Sequence, residues 1–124
     1  MNAGIPVFAA ANIKEQLDHI ALADFDAFPY GVVVMSSDGM VIGYNVAESR
    51  LSGLAPDRVI GRHFFRDVAP CANNAVVAER FDAEEDLDDI VDYVFAFRLR
   101  PVQVQLRLIR VGNDPRRYLL VAPT

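Results

Sequence analysis

Between Val91 and Leu108 apolar and polar residues alternate almost without a break, and this restricts the fold more than any other feature. In "VDYVFAFRLR" the residues Val91, Tyr93, Phe95, Phe97 and Leu99 share one face. In "VQVQLRL" the residues Val102, Val104, Leu106 and Leu108 alternate with Gln103, Gln105 and Arg107. Successive side chains of a strand point to opposite faces, so a period of two predicts an antiparallel sheet with one packed face and one wet face. "GNDP" then turns the chain toward a final strand, Tyr118 to Val121.

The upstream half supplies the remaining elements. "GVVVMS" is a valine-rich buried strand, "SSDG" a turn and "MVIGYN" a second strand, so Gly31 to Asn45 reads as a hairpin. Ile13, Leu17, Ile20 and Ala21 fall at helical spacing, with Asn12 placed to cap them. "NVAESRLSG" predicts a short helix with Asn45 as cap and Gly53 as stop. "APDRVIG" repeats that plan between Pro56 and Gly61, and a weaker helix lies within Ala75 to Phe81. The order helix, two strands, short helices, three strands predicts an α+β fold. It is a five-stranded antiparallel sheet with short helices on one face and an N-terminal helical cap, the plan of a PAS domain. Residues 1–27 form the cap segment and 28–124 the PAS domain, together one unit.

Composition narrows the function. With 124 residues, 52% of them hydrophobic, the chain can fill one core. No apolar run approaches the roughly 18 to 20 residues of a membrane span, and the start has neither a basic region nor a long apolar one, so neither a signal peptide nor a membrane partner is expected. Cys71 is the single cysteine. An internal disulfide is thereby excluded, which suits a reducing cytoplasm. A net charge of -5 argues against nucleic acid as a partner. The acids of "DAEEDLDD" and the bases Arg98, Arg100, Arg107, Arg110, Arg116 and Arg117 read as solvated faces.

Tyr44, Glu48 and Ser52 are spaced four apart, one polar stripe if a helix runs through them. On an ordinary helix such a stripe faces solvent. Tyr44, however, closes an apolar strand and should point partly inward, where a phenol needs a partner. A buried carboxyl is raised in pKa and favours its neutral, hydrogen-donating form. A tyrosine hydroxyl and a neutral Glu48 facing one cavity would cradle a ligand oxyanion. Cys71 read alone is a small packing residue. His63 lies eight positions before it, but no residue is placed to orient the imidazole, and His19 reads as a surface residue. No metal-ligand spacing, phosphate loop, nucleophile elbow or dinucleotide fingerprint is present, and the chain is not expected to be an enzyme.

Two segments, "YNVAES" and "RVIGRHFFRDVAPC", resemble the Tyr-Asn-x-Ala-Glu element and the Val-Ile-Gly-x-x-Phe-Phe-x-x-Val-Ala-Pro-Cys segment of the photoactive yellow protein family, blue-light receptors on a PAS-type fold. Weaker similarity runs from Tyr30-Gly31 through the hairpin and through "DYVFAF". The resemblance implies that Cys71 bears 4-hydroxycinnamic acid (p-coumaric acid) as a thioester. It implies that Tyr44 and Glu48 hold the phenolate oxygen, with Ser52 in place of the usual threonine supporting Tyr44. Val33, Phe64, Ala69, Pro70 and Phe95 match positions that wall or adjoin the chromophore. Light would isomerise the cinnamoyl double bond, Glu48 would give up its proton, and the N-terminal cap would loosen to signal to a downstream protein. A homodimer is compatible with this.

Two positions depart from the family. Leu54 stands where an arginine usually covers the pocket, and Leu99 where a methionine usually assists the return to the dark state, which implies slow thermal recovery. Two alternatives keep the fold. The first is a chromophore-free PAS module that retains the pocket for ligand binding or dimerisation. The second is a thiol redox sensor or small Cys/His enzyme centred on Cys71.

Overall fold

The computed structural model describes residues 4–97 and 100–124. Helix α1 (Ile13–Asp18) and a 3-10 turn (Leu22–Ala27) precede the hairpin β1 (Gly31–Met35) and β2 (Val41–Tyr44). Helices α2 (Val46–Ser52), α3 (Pro56–Val59) and α4 (Ala78–Ala83) follow, with a π-helical turn (Phe64–Val68) and a 3-10 turn (Pro70–Ala72) between α3 and α4. The chain ends in the meander β3 (Asp86–Phe97), β4 (Arg100–Val111) and β5 (Arg117–Pro123). All pairs are antiparallel and the strand order is β2-β1-β5-β4-β3. The five-stranded sheet expected from the alternation therefore forms, with β1 returning to pair with β5. Strand β3 begins at Asp86, well before Val91, because its ladder with β4 runs on from Val91 opposite Leu106 to Asp86 opposite Val111.

Strand β1 is buried on both sides, which explains its unbroken valine run. Val33 and Met35 face a core shared with Tyr44, Phe64, Phe81, Phe95, Leu106 and Leu119. Val32 and Val34 face a second core with Ile13, Leu17, Phe25, Phe28, Ile109 and Tyr118. The helices between β2 and β3 cover the first face and the N-terminal segment covers the second.

Two expectations are corrected here. Asn12 does not cap α1: it sits at φ 56°, ψ 32° with no side-chain bond into the helix, whereas an N-cap takes extended backbone. The helix also stops at Asp18, so Ile20 and Ala21 lie outside it. The polar face of β4 is wet at Gln103 but not at Arg107. Arg107 is only 6% exposed, because the N-terminal segment lies over it. Its guanidinium makes a two-pronged pair with Asp88 at 2.8 and 2.9 Å and donates to the Phe8 and Ala10 carbonyls at 2.9 and 2.7 Å. Those bonds satisfy a charge that burial would otherwise penalise.

The same segment is fastened twice more. Lys14 pairs with Asp18 at 2.6 Å and Asp114 at 2.9 Å, while the Tyr30 hydroxyl donates to the Pro6 carbonyl at 2.8 Å. The acidic block and the C-terminal arginines are in part each other's partners. Besides Asp88 with Arg107, Asp82 meets Arg117 at 3.4 Å; Asp89 pairs instead with Arg80 of α4 at 2.8 Å.

Candidate functional site

Tyr44, Glu48 and Ser52, the stripe that on an ordinary helix would face solvent, are all buried. The reason lies in Asn45, the cap of α2. Its Oδ1 accepts from Val32 N at 2.8 Å and Glu48 N at 3.0 Å, and its Nδ2 donates to the Phe25 and Tyr30 carbonyls at 2.9 and 3.0 Å. One side chain thus ties the first turn of α2 to β1 and turns the stripe inward. Gly53 ends the helix in the left-handed conformation, at φ 78°, as expected of a glycine stop.

The Tyr44 hydroxyl donates to Ser52 Oγ at 2.7 Å, and Ser52 Oγ also accepts from Leu54 N at 3.1 Å. Burial drives the Tyr44 phenol well above the ordinary tyrosine range, and a charged Glu48 would push it further the same way. Leu54 is half-buried against the same core.

Glu48 is fully buried, and both its carboxyl oxygens lack a hydrogen-bond partner among the described residues. The sequence Asn45-x-x-Glu48 has the form of a capping box, in which the glutamate reaches back to the cap's N–H. Here that N–H already donates to the Val32 carbonyl at 3.2 Å, so the carboxyl is left over. Burial pushes the Glu48 carboxyl up to about 8. Tyr44 opposes this by less, and its hydroxyl is committed to Ser52. At neutral pH Glu48 is therefore a buried neutral acid with an O–H to give. Gly31 makes room for it: a Cβ there would collide with Glu48 Oε1 and lie 3.2 Å from Val121 Cβ.

Cys71 is the free thiol at the centre of the Pro70–Ala72 turn, half-buried against the first core. The π-helical turn delivers it. Ala69 N bonds to the Phe64 carbonyl at 2.7 Å, and His63 Nδ1 accepts from Arg66 N at 3.1 Å. That geometry buries Phe64, Phe65 and Ala69.

Val33, Phe64, Ala69 and Phe95 join Tyr44 in one buried cluster, with Leu54 and Cys71 packed on it. Pro70 is exposed, and its ring opens the turn that carries the adjoining Cys71. Leu99 lies outside the described residues. The sequence reading passed over Gly31, Asn74 and the Tyr93 hydroxyl. Only the "YG" step before the valine run hinted at the first. Among the described residues no three His, Cys, Asp or Glu side chains are grouped to hold a metal, and no helix is long and apolar enough to cross a membrane.

The PAS fold family matches residues 23–122. The photoactive yellow protein of Rhodothalassium salexigens is 31% identical over 117 residues, 92% of this chain and 94% of that one. The chain belongs to the photoactive yellow protein family. The family's member from Halochromatium salexigens is 29% identical over the same shares of the two chains. Among solved structures, the photoactive yellow protein domain of the sensor histidine kinase Ppr from Rhodospirillum centenum superposes with a TM-score of 0.78 at 40% identity. That superposition covers 87% of this chain and 97% of that one. This family membership, with the fold it carries, puts the chain among PAS sensory proteins.

Proposed function

We propose that this protein is a blue-light receptor that carries a 4-hydroxycinnamoyl group as a thioester on Cys71. The observation that carries this reading is the Glu48 carboxyl. It is fully buried, neutral at pH 7 and without a hydrogen-bond partner among the described residues. A native fold rarely leaves such a group unsatisfied, since each costs about 1–3 kcal/mol, so a partner oxygen supplied from outside the chain fits the site. The donors fit that group as well: the Glu48 O–H is uncommitted, and the Tyr44 hydroxyl, which donates to Ser52 Oγ here, can turn to a phenolate oxygen while the Ser52 hydroxyl donates to it in turn.

Cys71 would hold the acyl end, while Tyr44 and Glu48 would hold the phenolic end. When bound, the group supplies absorption of visible light and a double bond that isomerises. Everything after that depends on Glu48. Releasing its proton leaves a carboxylate in an apolar core, a state costing several kcal/mol. The fold can relieve that cost only by admitting water or by loosening. Helix α2, which carries Glu48, rests on β1 and on the 3-10 turn of the N-terminal segment through Asn45. A charge at Glu48 therefore strains the attachment of that segment, which gives an order-to-disorder output.

The test is acylation of the apoprotein with the anhydride of 4-hydroxycinnamic acid, followed by intact-mass and peptide analysis. One acyl group on Cys71, absent from Cys71→Ala, with a visible absorption band, is the expected result. Protein that stays unmodified and colourless would leave the chromophore-free PAS module, which the loss of arginine at Leu54 also suits.

A further inference from the structure

We infer that Asn74 and Tyr93 are positioning residues for Cys71, acting by clamping its backbone carbonyl; this rests on the reading of Cys71 as the acylated residue. The backbone bonds around that residue pass its carbonyl by. Ala72 N bonds to the Ala69 carbonyl and Asn73 N to that of Pro70, at 2.9 and 3.1 Å. The next donor, Asn74 N, goes to the Ala72 carbonyl at 3.0 Å instead. Two side chains take the carbonyl thus left over. Tyr93 Oη donates to it at 2.6 Å and Asn74 Nδ2 at 3.1 Å.

The clamp is a closed triangle of fixed direction. Asn74 Nδ2 also donates to Tyr93 Oη at 2.7 Å, so the hydroxyl accepts from one member and gives to the other. The orientation of the amide is set, because its Oδ1 accepts from Val76 N and Val77 N at 3.0 and 3.1 Å. A carbonyl only accepts and an NH2 only donates, so no other arrangement satisfies all three groups.

Fixing this carbonyl fixes ψ of Cys71, and with it the plane against which the Cα–Cβ–Sγ arm is set. The clamp also joins the thiol-bearing turn to the sheet. Tyr93 stands on β3, and its ring meets that of buried Phe95 edge-on at 5.3 Å. A torque at the sulfur thus reaches β3 through Tyr93 and the lead-in to α4 through Asn74.

Three variants test this. Tyr93→Phe keeps the ring and loses the donor. Asn74→Asp keeps the acceptor for Val76 and Val77 but replaces the donor with an acceptor, which turns the Tyr93 proton away from Cys71. Arg80→Ala breaks the Glu84 and Asp89 pairs beside α4 and leaves the clamp alone. The apoproteins are compared in their reaction with a dithionitrobenzoate thiol reagent. The acylated proteins are compared in absorption maximum and in thermal recovery after a flash.

Loss of one clamp bond should speed the thiol reaction by about three- to tenfold in Tyr93→Phe and Asn74→Asp, and leave Arg80→Ala near wild type. In loaded protein those two variants should recover at an altered rate with the absorption maximum unmoved, since Tyr44 and Glu48 are untouched. Thiol rates within about twofold of wild type in both clamp variants, or an equal acceleration in Arg80→Ala, would overturn the inference. If wild type takes up no acyl group, the photoreceptor reading fails, and the thiol comparison still decides the clamp.

Discussion

The Tyr44 hydroxyl donates to Ser52 Oγ at 2.7 Å, and the same oxygen accepts from the backbone N–H of Leu54 at 3.1 Å. The phenol is thereby held at the wall of the core while both Glu48 oxygens are left without a partner among the described residues. Ser52→Ala would strand the Tyr44 hydroxyl in a buried site. The expected loss is about 1–3 kcal/mol in urea unfolding of the apoprotein, with Ser52→Thr close to wild type because it keeps the hydroxyl. Equal midpoints for the alanine and threonine variants would remove Ser52 from this role.

Glu48 makes stability depend on pH with a definite sign. Its folded pKa, about 8, lies above its ordinary value of 4.5, so between these values the folded state binds more protons than the unfolded chain. Unfolding free energy should therefore be highest below pH 4.5 as far as this group is concerned, and fall by about 1.4 kcal/mol per unit as pH rises toward 8. Glu48→Gln should abolish that slope and exceed wild type in stability above pH 8. The check is a series of urea titrations across this range. Parallel profiles for the two proteins would contradict a buried neutral acid.

Gly31 is the residue that lets Glu48 sit where it does. The Cβ of Gly31→Ala would meet Glu48 Oε1, and it would also crowd Glu48 Cβ and Val121 Cβ, each 3.2 Å away. The variant should lose about 1–3 kcal/mol, and the carboxyl should be displaced. In loaded protein the absorption maximum should shift. A variant with wild-type stability and spectrum would show that the contact is not needed.

Arg107 holds the N-terminal segment by two backbone carbonyls. Arg107→Met keeps the volume of the stem and removes every donor. Hydrogen exchange should rise across residues 4–20 before the sheet is affected, with a global loss of about 2–3 kcal/mol; Asp88, half exposed, can solvate its own charge. Unchanged protection in that segment would mean that Lys14 and Tyr30 hold it without Arg107.

The sheet could be read from the sequence because alternation is a local pattern, and Val102 to Leu108 carries it cleanly. The burial of Tyr44 could be read because it ends an apolar strand. Arg107 was misread for a nonlocal reason. A strand face is wet or dry according to what lies over it, and here the cover is a segment almost a hundred residues away in the chain. Asn12 satisfied the letter of a capping rule, but its backbone is left-handed. The Asn74–Tyr93–Cys71 triangle joins a loop to a strand, a juxtaposition that no spacing records.

In the proposed receptor, Glu48 donates its proton to an oxygen of a group carried on Cys71. The most direct measurement is the absorption spectrum of wild-type protein and Glu48→Gln after reconstitution with activated 4-hydroxycinnamic acid. An amide is the weaker donor and stabilises a localised phenolate charge less. A visible band is expected in both proteins, displaced to the red in Glu48→Gln. Coincident bands, or a wild-type protein that stays colourless, would contradict it.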